Sequence, residues 1–182
     1  MTHETNITYQ ILQPTERVPQ EEIPVEKTAE EKVVSVETEE GPGLLFAEPE
    51  ELRDLSPVLD KFRVHGVVIP DYVFLELVSK SSDLDCTVSD VEFSDPAAAP
   101  YKSTVQHLIK AGDNTQLREF LQQIKKPISA IQCDYTKGNV HTTLSGSGFV
   151  TLKGDKAALT DFKASLLKRL TVFLSNAYQA SY

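Results

Sequence analysis

The residues able to do chemistry do not fall into catalytic spacings. A hydrolase elbow needs Gly-x-Ser-x-Gly at a strand-to-helix turn. Around Ser147 the glycines are the adjacent Gly146 and Gly148, and the segment reads as strand. A phosphate loop needs Gly-x-x-x-x-Gly-Lys-Ser/Thr so that backbone N–H groups cradle the anion. Lys153-Gly154-Asp155-Lys156 lacks that spacing, and Asp155 repels a phosphate. Two cysteines, Cys86 and Cys133, do not make a disulfide framework or a close ligand pair. Each reads as a small buried hydrophobe. His65, His107 and His141 are isolated, so a metal site would need Cys133, His141 and a third ligand assembled in space. The acids are numerous, but no spacing singles out a carboxylate pair. The chain therefore reads as non-enzymatic, with no metal and no cofactor.

Charge is more informative than any motif. Residues 1–50 carry 12 acids and 3 bases, so the whole net charge of −9 sits there. Residues 51–113 carry 11 acids and 6 bases, and residues 114–182 carry 4 acids and 9 bases. Lys125, Lys126, Lys137, Lys153, Lys156, Lys163, Lys168 and Arg169 could form one basic face, with Tyr135 and Tyr178 to stack bases. This gives the alternative function: a nucleic-acid-associated regulator whose acidic segment modulates binding. The scarcity of Arg and the absence of a glycine–aromatic RNA signature weigh against it. A solvated helix face accounts for most of these lysines.

Residues 1–43 read as an extended or disordered acidic arm. Pro14, Pro19, Pro24 and Pro42 punctuate it and Glu is its commonest residue. Such composition buries too little apolar surface to offset the entropy of ordering. Ile7, Tyr9 and Ile11 nevertheless alternate with polar residues at strand period, and Val34 and Val36 form a second β-prone patch. Both patches are the right size to add to a sheet edge, of a partner or of this chain itself.

The elements that would position any site begin after Gly43. Tyr101, Val105, Leu108 and Ile109 make a helical stripe stopped by Gly112. Asp113 caps a second helix that ends at Lys125-Lys126-Pro127. Residues 127–179 form the organising unit. A strand (Ile131, Cys133, Tyr135) turns at Lys137-Gly138-Asn139 into a second strand running from Val140 to Leu152, interrupted by Ser145–Gly148. Asp155 then caps a helix of about 23 residues at the 1.5 Å rise, striped by Leu159, Phe162, Leu166, Leu170, Phe173 and Ala177. Earlier, 48–55 reads as a short helix, Pro57 starts another, 66–69 is a buried strand, 71–80 is ambiguous and 85–93 is a strand.

The expected fold is therefore α+β: one domain over 44–182, an antiparallel sheet backed by helices, with the arm outside it. The expected function is a structural or assembly protein that docks into a larger complex through Ile7, Tyr9, Ile11, Val34 and Val36. A virion or other large assembly fits that plan, as does a homo-oligomer. No apolar run reaches membrane-spanning length and the first residues lack signal-peptide blocks, so an intracellular, cytoplasmic setting is expected, with no membrane partner.

Overall fold

The computed structural model describes residues 3–137 and 139–179. Gly138, which the sequence places in a hairpin turn, lies outside them. Strands β1 (Glu4–Gln13), β2 (Val33–Thr38), β3 (Gly41–Ala47), β4 (His65–Gly66), β5 (Cys86–Phe93), β6 (Ile128–Tyr135), β7 (Val140–Ser145) and β8 (Phe149–Asp155) form one antiparallel sheet. Its order is β2-β3-β1-β8-β7-β6-β5, with β4 pairing to the end of β1. The helices are α1 (Val25–Ala29), α2 (Leu52–Lys61), α3 (Asp71–Lys80), α4 (Lys102–Ala111), α5 (Asn114–Ile124) and α6 (Lys156–Gln179). The α+β class and the antiparallel sheet backed by helices are as expected.

The extended acidic arm is not. Residues 4–13 are β1, an interior strand hydrogen-bonded to β8 on one side and β3 on the other. Ile7, Tyr9 and Ile11 face the main core, and Leu12 faces a second apolar cluster on the opposite side. Val34 and Val36 of β2 also pack against the main core. The proposed boundary after residue 43 falls inside β3. The physical reason is burial: Tyr9, Ile11, Leu12, Val18, Ile23 and Val33 lie in the two apolar clusters, and some acids of the segment also meet bases of the rest of the chain, Glu4 with Lys153 and Glu31 with Lys163. A sequence composition counts those acids as solvated and unpaired.

The organising unit forms as read, with one change. Ser145–Gly148 is a hairpin turn, closed by the Gly148 N–H on the Ser145 carbonyl at 3.0 Å, so the long second strand is the pair β7 and β8. Leu144 pairs with Val150 across it, which keeps both on the core face. The alternation therefore ran through the turn in phase and hid it. Gly148 has φ +85°, and a Cβ there would lie 1.8 Å from the Val67 carbonyl oxygen. Only glycine fits both the positive φ and the close approach.

α6 closes the main core. Asp155 caps it, its Oδ1 accepting from the Ala158 N–H at 2.7 Å. Leu159, Leu166, Leu167, Leu170, Phe173 and Leu174 are buried, against β8, β2, β3 and α3. Each such side chain stabilises the fold by about 1.5–3 kcal/mol relative to exposure. Gly112 ends α4 in the left-handed region and Asp113 caps α5, as read.

Elsewhere the expectations needed revision. The ambiguous stretch 71–80 is helix α3. Pro57 lies inside α2 instead of starting a helix. Of the 66–69 region only Gly66 is strand, joined with His65 in β4, although Val67 and Ile69 are buried. In β5 the register shifts between Val88 and Asp90, so Val91 joins Cys86 and Val88 in the core.

Candidate functional site

Where β2 turns into β3, the chain reads Glu37-Thr38-Glu39-Glu40-Gly41-Pro42-Gly43. Gly43 has φ +73°, and a Cβ would lie 1.9 Å from the Val36 carbonyl oxygen. The hairpin is thus held in a bulged shape by its glycine, with a register shift between Val36 and Thr38. Arg17, just past β1, braces it from outside. Its guanidinium donates to the Thr38 carbonyl at 3.3 Å and pairs with Glu37 at 3.7 Å.

This hairpin stands beside the second half of α6, and between them lies a cleft of about 820 Å³. Its helix wall is Lys168, Val172, Ser175, Asn176 and Tyr178. A second groove of about 360 Å³ runs along the other side of the same helix, past Asp83, Leu84 and Phe173. Lys168, Val172 and Asn176 line both, so they form a ridge between two hollows. Val172 is 46% exposed there, out of phase with the buried stripe. Tyr178 donates to the Val68 carbonyl at 2.6 Å. Burial, then the nearby Tyr72, pushes the Tyr178 phenol up to about 12. Val68, Tyr72 and Val172 are three of the four large exposed apolar side chains among the described residues, and of these Val172 lines the cleft.

The site residues expected from the sequence lie elsewhere. Tyr9 and Ile11 are fully buried. The Tyr9 hydroxyl donates to the Glu31 carbonyl at 2.8 Å, and its ring meets Phe46 edge-on at 6.4 Å. Ile7, Val34 and Val36 are half-buried against the same core. What these residues dock onto is this chain's own sheet.

The basic set is dispersed. Lys125 and Lys126 lie at the α5–β6 junction, Lys137 at the β6–β7 turn and Lys153 on β8, while Lys156, Lys163, Lys168 and Arg169 belong to α6. Four of the eight are in ion pairs: Lys126 with Asp95, Lys153 with Glu4, Lys163 with Glu31 and Arg169 with Asp85. Lys137 and Arg169 share one cavity wall, and Lys168 and Arg169 another. Lys163 is itself buried.

Cys133 and His141 fall on opposite faces. Cys133 pairs with Thr142, and His141 with Asp134, one residue out of step. The His141 ring instead hydrogen-bonds Asp134 at 2.6 Å on the open side of the sheet. Among the described residues no three His, Cys, Asp or Glu side chains are grouped to hold a metal ion. No described helix is long and apolar enough to cross a membrane.

Sequence reasoning missed Arg17, the Glu37–Glu40 hairpin tip and the Val172 ridge. The hairpin was absorbed into the arm. Val172 did carry a signal: it is an aliphatic residue off the helix's buried stripe, on the face that also bears Lys168 and Arg169. Compared with family models, with curated proteins and with solved structures, the chain matches none of them, and its functional reading rests on this geometry.

Proposed function

We propose that this protein is a non-enzymatic assembly or docking subunit, and that it binds a segment of a partner protein across the α6 ridge. The observation that carries the reading is a cleft with the exposed Val172 and with Tyr178 on its helix wall and an acidic hairpin on its other lip. Scattered single hydrophobes on a surface are ordinary, whereas a contiguous patch with a polar rim marks an interaction site. The cleft has acids Glu37, Glu39 and Glu40 on one lip and Lys168 on the other. It therefore selects a segment with an apolar anchor for Val172 and Tyr178, flanked by a base on the hairpin side and an acid on the helix side. The expected assembly role is kept, but the surface moves from the N-terminal strand to α6. The nucleic-acid reading has less support, because half of its cations are already paired with acids of the same fold.

The test is a photo-cross-linker placed at position 172, with the same group at the exposed Thr87 as control. A protein adduct should form from 172 and not from 87, and Lys168→Glu should abolish it. Val172 is half exposed, so the substituted proteins should melt like the parent. Equal labelling from both positions, or adducts indifferent to Lys168→Glu, would overturn the reading. Adducts between two copies of the chain would identify the partner as the protein itself.

A further inference from the structure

The outward face of α6 carries a pattern with a centre. Ala157, Asp161, Ala164, Ser165, Lys168 and Val172 are all exposed. At about 3.6 residues per turn they fall on one stripe, opposite the buried one. The centre lies between Ala164 and Ser165. Asp161 and Lys168 stand at equal steps on either side of it, and Ala157 and Val172 at equal steps further out. The central pair is small, the next pair is of opposite charge, and the outer pair sets a small apolar side chain against a larger one.

The two charges have no counterpart in the fold. The ion pairs of α6 are Lys163 with Glu31 and Arg169 with Asp85. Among the described residues, Asp161 and Lys168 belong to none. Nor can they meet each other within one helix, because seven residues set them about 10 Å apart along its axis.

We infer that the partner across the α6 ridge is a second copy of this chain, and that two α6 helices pack antiparallel about a two-fold axis between Ala164 and Ser165. This rests on the docking reading above and names its partner. A two-fold across the helix reverses its direction and brings each residue against the one at equal distance beyond the axis. Asp161 of each copy then meets Lys168 of the other, so the ion pair forms twice. Val172 of each copy lies on the other copy's Ala157. Ala164 and Ser165 let the backbones approach where the helices cross. Side chains this small suit the short end of the range of helix separations, about 8–10 Å, at the shallow crossing of about 20° that keeps both ends in contact. Lys156 lies about six turns before Tyr178 and so on the same flank of the helix. The second copy therefore also brings a base toward Glu39 and Glu40, which line the cleft beside Tyr178. One surface thus supplies the apolar anchor, the acid and the base that the cleft selects. A parallel pairing would set Asp161 against Asp161 and Lys168 against Lys168, which like-charge repulsion disfavours. One helix face per copy falls in the class below about 1,200 Å² of buried area, so the association is reversible.

The test is sedimentation velocity of the full-length protein from micromolar to near-millimolar concentration. The parent should pass from monomer to dimer. Asp161→Lys and Lys168→Asp should each weaken dimerisation by about tenfold or more, because each sets like charges together at both contacts. An equimolar mixture of the two variants should dimerise again, and so should the double variant, since opposite charges then face each other across the axis. Both positions are exposed, so every variant should melt like the parent. A parent that stays monomeric throughout would overturn the inference. So would a dimer indifferent to either reversal, or a mixture that stays monomeric. Failure here is distinct from failure of the docking reading: a monomeric parent whose position 172 still captures a different protein keeps that reading and loses this one.

Discussion

β1 and β8 lie side by side in one sheet, joined through seven residue pairs from Glu4–Asp155 to Gln10–Phe149. They differ in how their places are specified. β8 is tied to β7, and β7 to β6, by short turns, so alternation and turn residues fix its register locally. β1 has no such neighbour. Its partners are β8, at the far end of the chain, β3, beyond α1 and β2, and the short β4 at its end. It is nevertheless buried on both faces where Ile11 and Leu12 meet the two clusters. The difference teaches that acidity and proline content mark a segment as unable to fold alone, which is not the same as unfolded.

The sharpest way to break the comparison is to damage each region equally. Tyr9→Ala and Leu166→Ala both remove a large buried side chain, and each should cost about 2–5 kcal/mol. Tyr9→Asp combined with Val34→Asp should abolish the cooperative melt, because it places carboxylates in or against the main core. Thermal unfolding followed by circular dichroism checks all three. An arm would tolerate the double change with its melting temperature unchanged, and that result would overturn the place given to β1.

A smaller effect tests the seam between the regions. The Gly148 carbonyl accepts from the Ile11 N–H at 2.8 Å, and Gly148 touches the Val67 backbone, so the β7–β8 turn and β1 meet there. Gly148→Ala should cost about 1–3 kcal/mol from positive φ alone, and more if the Val67 carbonyl must move. Gly112→Ala is the control: its φ is +70°, but the space around it is open. Urea unfolding should find Gly148→Ala the more destabilising. Equal costs would mean that the turn does not pack against the Val67 backbone as closely as described.

How much was legible follows from the same distinction. The strand–turn–strand–helix unit, the Asp155, Gly112 and Asp113 caps and the α6 stripe all depend on spacing within a few residues. The Ser145–Gly148 turn escaped because Leu144 and Val150 keep phase across it. The strand nature of 7–11 and 34–36 was also visible. The destination of 7–11 was not, because it depends on pairing with β8, more than a hundred positions away; 34–36 pairs with the nearby β3 but was read as part of the arm. The cleft is a step further off, since Arg17, the acidic hairpin tip and Val172 come from three separated segments. Val172 alone was detectable, as an apolar residue on a polar helix face.

The smallest expected effect concerns acid, and it should have opposite signs in the two regions. Asp95, ahead of α4, is held below its ordinary 3.8 by the hydrogen bond from Lys126 and then by the Ala97 N–H. A depressed carboxyl adds stability above its unfolded value, and this is lost as pH falls through the folded one. Glu48, at the end of the N-terminal segment, is raised above its ordinary 4.5 by burial and then by Glu50. Its folded form binds a proton first, so stability is gained as pH falls through the raised value toward 4.5. Urea midpoints between neutral pH and pH ~3 should respond accordingly. Asp95→Asn should soften the acid limb at its lowest end, and Glu48→Gln should remove a gain that comes earlier in the descent. If both variants shifted the profile in the same direction, Glu48 would be solvated like an ordinary surface acid, and the N-terminal segment would be less buried than β1 and β3 require.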